Sequence, residues 1–354
     1  TYDKQIKIVF QSKQDTSGIN IFLIGDAGKL ENDQPSTALK ALNDNIKGSK
    51  KEDVLLFLGD NIYPKGMPVS NNEEAKKSLQ AQINVAKDFK GKVIFIPGNH
   101  DWYSGIDGLK AQEKMVEHAL GKKSFSPQDA CPLESYKVSK NIVVITVDSE
   151  WYITNWDKHP KMNDDCDIKS REKFMAEFKS LINKNQSKTI ILAMHHPLES
   201  YGNHGGQFLF NPLKAPLNVL RKTSGISPAD LNFPRYRELS NKITTILQEY
   251  KNNVIVVSGH DHNLQYLIHK NIPQIISGSG SKVNPVRHFK KDTLTFGYAG
   301  LGFAVLNIKE NKQTVQYYDE TNQLIHSKII RETQKVKPFS VSNFPKVKSV
   351  TASI

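Results

Sequence analysis

The sequence predicts an α/β protein of the layered α+β kind, in which two β-sheets form a sandwich flanked by helices. Two observations predict it. A short, continuously apolar run ends in a polar residue five times, at residues 20–26, 54–60, 93–99, 189–195 and 254–260, with amphipathic stretches between the runs. After Gly259 the pattern changes to short β segments joined by turns.

Taken in order, the runs NIFLIGD, VLLFLGD, VIFIPGN, TIILAMH and VIVVSGH are β-branched and aromatic without polar alternation, as strands buried on both faces are. Helical patterns at 37–46, 72–89, 108–120, 170–184 and 236–250 lie between them. Such alternation implies right-handed crossovers and a helix-covered sheet whose strand ends share one edge, where open α/β sheets bind ligands. The later segments 264–269, 273–277, 302–308 and 314–318 read as strands of a second sheet. One domain is expected over residues 1–332, with 333–354 as a tail packed on it or partly disordered.

Composition narrows the classes. With 354 residues, 38% of them hydrophobic, the chain can bury a large core and is not of the disordered kind. No apolar run reaches the roughly 18 residues of a spanning helix, and the N-terminus carries no signal-like stretch. The chain starts at Thr1 rather than Met, as a processed mature form or a trimmed chain would. The net charge of +12 favours anionic partners, but the lysines are spread as on an ordinary solvated surface. Aromatic and basic residues are not interleaved as in a nucleic-acid stacking groove, so no specific nucleic-acid binding is expected. Two cysteines, Cys131 and Cys166, fit no metal pattern and read equally as one disulfide or two buried thiols.

The strand ends deliver Asp26, Asp60, Asn99, His195, and the pair His260 and His262. Singly, each has a bland explanation, since Gly-Asp after a strand is commonly a turn. Together they form a set of carboxylate, amide and imidazole donors suited to Mn, Fe or Zn. The set over-supplies one ion and suits two, sharing a carboxylate, which is the arrangement used for phosphoester hydrolysis. Gly25, Gly59, Gly98 and Gly259 each precede a donor and are expected to permit the sharp turns there. In extended backbone His260 and His262 point to one side, so each could reach a different ion.

The segments GDAG (25–28), GDNIY (59–63), GNHD (98–101), HHP (195–197) and GHDHNLQ (259–265), followed by SGSG (277–280), resemble the motifs of the calcineurin-like metallophosphoesterases. More narrowly they are similar to the purple acid phosphatases of the small, mammalian, tartrate-resistant type. Leu192 stands where that family often has Val. The resemblance implies the calcineurin-like metallophosphoesterase fold and a metal-dependent acid phosphatase that hydrolyses phosphate monoesters by attack of a bound hydroxide on phosphorus. A two-metal phosphodiesterase or nuclease of the same fold is the alternative.

The resemblance further implies Fe(III) at Asp26, Asp60, Tyr63 and His262, with Tyr63 as a tyrosinate, and Fe(II), Zn or Mn at Asp60, Asn99, His195 and His260. His195, rather than the adjacent His196, matches the ligand position by its spacing to Pro197. His204 is expected to protonate the leaving group and His100 to contact phosphate, with Asn99 also at the substrate and Asp101 behind His100, orienting it. Small phosphorylated substrates or phosphoproteins are the expected partners of a monomeric protein, secreted or periplasmic, in which a Cys131–Cys166 disulfide would be at home. The segment 151–169 lies where mammalian-type enzymes carry a loop that restrains activity.

Overall fold

The computed structural model describes residues 18–156, 159, 161–205, 227–251, 253–287 and 293–333. It is built on two sheets. The six-stranded sheet has the order β13 (Leu324–Glu332), β12 (Lys312–Asp319), β11 (Gly302–Ile308), β1 (Ile19–Ile24), β2 (Val54–Leu58), β3 (Lys92–Ile96). The seven-stranded sheet has the order β10 (Leu294–Tyr298), β8 (Leu264–His269), β9 (Ile272–Ser277), β7 (Val254–Ser258), β6 (Thr189–Met194), β5 (Ile142–Val147), β4 (Leu133–Lys137).

Each central strand is apolar throughout because it is covered twice. Ile21, Leu23, Leu56, Leu58 and Ile96 face Ile191, Ala193, Ile255 and Val257 in the layer between the sheets. The alternate residues Phe22, Ile24, Phe57, Phe95, Ile190 and Val256 belong to the outer layers with the helices. These are α1 (Thr37–Asn45), α2 (Glu73–Ala86), α3 (Asn99–Trp102), α4 (Gly105–Leu120), α5 (Ser149–Ile153), α6 (Arg171–Lys184) and α7 (Pro234–Gln248). Hydroxyl or carboxylate caps start three of them: Ser36 accepts from Leu39 N–H, Asp148 from Trp151 N–H and Ser170 from Lys173 N–H, each satisfying an N–H the helix leaves over. Pro234 occupies the first turn of α7, where no N–H is needed.

Two expectations are corrected. The five donor-bearing strands do not share one sheet: β1, β2 and β3 lie parallel in one, β6 and β7 parallel in the other. Nor do the late strands form a sheet of their own, because β8, β9 and β10 extend the β7 sheet while β11 pairs antiparallel with β1 and carries β12 and β13 with it. The carboxyl ends of both parallel sets still meet at one edge of the sandwich. There Gly25 N–H donates to Ser277 O at 2.7 Å, and His195 Nδ1 lies 2.7 Å from Leu58 O, each linking one sheet to the other.

Within the segment 151–169, Trp151, Tyr152 and Ile153 are core residues rather than a free loop. Cys131 and Cys166 are disulfide-bonded, with a Cα–Cα separation of 5.4 Å. The tail beyond Thr333 lies outside the described residues.

Candidate metal centre

Asp26 and Asp60 stand in the turns directly after β1 and β2, both with left-handed backbone, at φ 57° and 54°, and His260 after β7 has φ 71°. The strained conformation thus falls on the donors themselves. Of the four preceding glycines only Gly59 has a positive φ; the others are needed for close approach. A Cβ on Gly98 would sit 2.3 Å from Asp60 Oδ1, and one on Gly259 2.7 Å from Asp26 Oδ2.

All seven residues of the expected ligand set converge on this edge. On one side Tyr63 Oη lies 2.8 Å from Asp26 Oδ1, 2.9 Å from Asp60 Oδ2 and 3.2 Å from His262 Nε2. On the other, His195 Nε2 lies 3.2 Å from Asn99 Oδ1, 3.4 Å from Asp60 Oδ1 and 3.2 Å from His260 Nδ1. Asp60 therefore presents one oxygen to each group. Ligand atoms of Asp26, Asp60 and His195 all lie within 4.8 Å of one another, a cluster able to hold a metal ion.

Outer contacts fix the rings. His195 Nδ1 faces the Leu58 carbonyl oxygen at 2.7 Å, and His260 Nε2 faces that of Ala229 at 2.7 Å. A carbonyl only accepts, so in the neutral rings the inner nitrogens carry lone pairs directed at each other. Asn99 Nδ2 donates to Tyr103 Oη at 2.6 Å, which turns Asn99 Oδ1 inward as a further lone pair. Asn284 Nδ2 contacts His262 Nδ1 at 2.8 Å. Lone pairs converging without a proton between them repel, and a cation removes the conflict; the residues present fit two metal ions.

The electrostatics agree. Burial alone would raise Asp60, but His195, His100 and the His100 N–H bond outweigh it and hold its carboxyl at about 2. Burial lowers His195, yet the Asp60 and Asp26 charges overcome this and raise its pKa, so the same carboxylates that would attract a metal attract a proton. Burial and the two carboxylates push the Tyr63 phenol well above its usual range, so a metal there must displace a firmly held proton.

His100 and His204 flank the cluster. The His100 ring packs 4.4 Å from that of Tyr63, with Nε2 3.9 Å from Asp60 Oδ2. The His204 ring lies 4.2 Å from that of His260, with Nδ1 3.6 Å from Asp230 Oδ1. Asp101 does not orient His100. As the third residue of α3 it turns back under the loops, accepting from the N–H groups of Gly98, Asn61 and Ile62, while His100 Nδ1 meets Pro64 O at 2.6 Å. His196 packs its ring 4.3 Å from that of His260 but directs its Nδ1 to Ser149 Oγ at 2.7 Å.

Sequence reasoning passed over Tyr103, Asn284, Lys282 and Glu150. Tyr103 was within reach of it, four residues after Asn99 at the end of a helical turn. Lys282 stands two residues after the SGSG segment, and its ammonium lies 3.3 Å from the Tyr63 ring centroid. Glu150 is buried and, with Asn99, Tyr103 and His159, lines a cavity of about 520 Å³ beside the cluster.

The pattern of the calcineurin-like phosphoesterases matches residues 19–264, and the chain belongs to that family. It is 22% identical over 335 residues to purple acid phosphatase 3 of Arabidopsis thaliana, covering 91% of this chain and 80% of that protein. It is 21% identical to human tartrate-resistant acid phosphatase type 5, covering 87% and 89%. Among solved structures it resembles GAP50, the anchor in the inner membrane complex of Plasmodium, with a TM-score of 0.61 at 16% identity over 90% of each chain. A dimetal phosphatase from Danio rerio gives a TM-score of 0.56 at 11% identity over 89% and 99%. These structural likenesses speak for the fold.

Proposed function

We propose that the chain is a phosphate monoesterase of the purple acid phosphatase type, with Fe(III) held by Asp26, Asp60, Tyr63 and His262 and Fe(II), Zn or Mn by Asp60, Asn99, His195 and His260. The observation that carries the reading is the split of the Asp60 oxygens between two converging donor groups. When bound, the two ions supply Lewis acidity towards phosphate oxygens and lower the pKa of water.

The chain's own residues then position the ester. His100, on the Tyr63 side, and Asn99 contact the phosphoryl oxygens, and His204, beside His260 and Asp230, holds the proton that the leaving oxygen takes up. Leu58 and Ala229 keep the two imidazoles aimed. The Cys131–Cys166 disulfide supports a secreted or periplasmic protein. Strands from both ends of the described chain share the β1 sheet, which supports one metallophosphoesterase domain over residues 1–332. Small phosphorylated molecules or phosphoproteins are the substrates of this reading, and the protein acts as a monomer.

The test is hydrolysis of an aryl phosphate and of the bis-aryl diester of the same phenol, before and after chelation. Monoester turnover that exceeds diester turnover and stops on chelation is expected. Faster diester turnover would assign the site to a phosphodiesterase or nuclease, and turnover indifferent to chelation would overturn the two-metal reading.

A further inference from the structure

The cavity of about 520 Å³ beside the cluster lies on its His195 and His260 side. Two wall residues fix that position: Asn99, whose Oδ1 faces His195 Nε2 at 3.2 Å, and Ala229, whose carbonyl oxygen holds His260 Nε2 at 2.7 Å. The His204 ring, 4.2 Å from that of His260, stands on the same side. An ester whose phosphoryl group sits at the donor cluster therefore has this space for its alcohol part.

The wall is unlike the rest of a chain of net charge +12. Cavities elsewhere are lined by lysines, Lys29 and Lys282 in one, Lys40, Lys76 and Lys77 in another, whereas no Lys or Arg among the described residues lines this one. Its acidic member is Glu150, which is 5% exposed. Glu150 Oε2 makes no hydrogen bond, and His196 Nε2 at 3.7 Å is beyond hydrogen-bond reach. Burying an acidic side chain in this way is costly, and a cation that donates N–H groups to it removes the cost. Trp102, Tyr103 and His159 add aromatic rings to the wall, and the faces of such rings attract cations.

We propose that this cavity is a subsite for a primary ammonium group, and that Glu150 directs the chain towards phosphate monoesters of amino alcohols. The inference rests on the monoesterase reading above and adds to it the chemistry of the leaving alcohol. With the phosphoryl group at the donor cluster, the ammonium lies in the cavity and donates to the Glu150 carboxylate. Water forms the new P–O bond, the ester P–O bond breaks, and the alcohol oxygen leaves with the proton held by His204, so that ester and water give the amino alcohol and orthophosphate. Glu150 binds the ammonium and takes no part in the proton transfer.

The test compares kcat/KM for O-phosphoethanolamine and propyl phosphate, which differ by an ammonium in place of a methyl group, in the metal-loaded wild type and Glu150→Gln. The wild type should favour phosphoethanolamine about tenfold, and the ratio should fall to near one in Glu150→Gln. A wild-type ratio near one, which needs no variant, overturns the subsite, as does a preference that survives in Glu150→Gln. Calorimetric titration with 3-aminopropylphosphonate and with butylphosphonate, whose P–C bonds are not hydrolysed, gives a second reading that needs no turnover. Tighter binding of the amino compound, lost in Glu150→Gln, supports the subsite even if the protein hydrolyses neither ester, an outcome that would end the hydrolase reading alone. Equal affinity of the wild type for the two phosphonates overturns the proposal.

Discussion

Nε2 of His195 and Nδ1 of His260 face each other across 3.2 Å, while the opposite nitrogen of each ring is held by a backbone carbonyl. The two side chains come from different strands of the same sheet, and burial leaves water no room to separate them. The arrangement is favourable with a metal cation beside it or with a proton held between the rings, and the Asp60 and Asp26 charges attract either to His195.

Metal removal should therefore destabilise the fold. A ligand that binds the native state alone stabilises it by mass action, about 2.7 kcal/mol at a hundredfold excess over Kd. Thermal unfolding with and without chelator should show a lower Tm without metal, restored by adding Mn or Zn. An unchanged Tm would mean that the facing lone pairs are relieved by a proton.

His204→Ala should slow turnover of esters with poor leaving groups by roughly 10²–10⁴ and of nitrophenyl esters far less, with both metals retained. A series of aryl phosphates of graded leaving-group pKa measures this. Equal loss across the series would contradict a proton-donating role.

Glu150 is buried, its Oε2 without a hydrogen bond and 3.7 Å from His196 Nε2, and burial, then Asp148 and Asp60, raise its pKa well above the usual carboxylate range. A folded-state pKa above the unfolded one means that the native state binds the extra proton. Stability is then full below the unfolded value near 4.5 and is lost as pH rises towards the folded value. Glu150→Gln should remove that slope. Urea unfolding should find the variant about 1–3 kcal/mol more stable than wild type at pH 8 and nearly equal at pH 4.5. A gap that does not change with pH would refute the buried-acid account.

The Cys131–Cys166 bridge spans a sequence separation of 35, for which loop entropy gives about 4 kcal/mol. The Cys131→Ser, Cys166→Ser double variant should unfold at correspondingly lower denaturant, while activity per folded molecule is retained.

Much of this was legible in the sequence because the centre is assembled from strand ends, and a continuous apolar run closed by a donor states both facts locally. The run 142–147, interrupted by Thr146, also forms a strand, β5, but its closing residue, Asp148, caps α5 and accepts from Trp102 Nε1 at 2.8 Å instead of joining the donors. What was not legible is pairing. Nothing local says that β11 will add to β1 rather than to β9, since that depends on which apolar face meets which across the sandwich. For the same reason the role of Asp101 was misread: its neighbour in sequence is His100, but α3 turns its carboxylate towards Gly98, Asn61 and Ile62. Lys282 escaped notice because its meaning lies in the Tyr63 ring beneath it, more than two hundred residues away in the chain.

The most direct measurement is the visible absorption spectrum of the purified protein together with metal content on the same sample, for wild type and Tyr63→Phe. The account predicts about two metals per chain and a tyrosinate-to-iron charge-transfer band that disappears in Tyr63→Phe. Less than one metal per chain after reconstitution with iron and zinc, with no band and no phosphatase turnover, would contradict it.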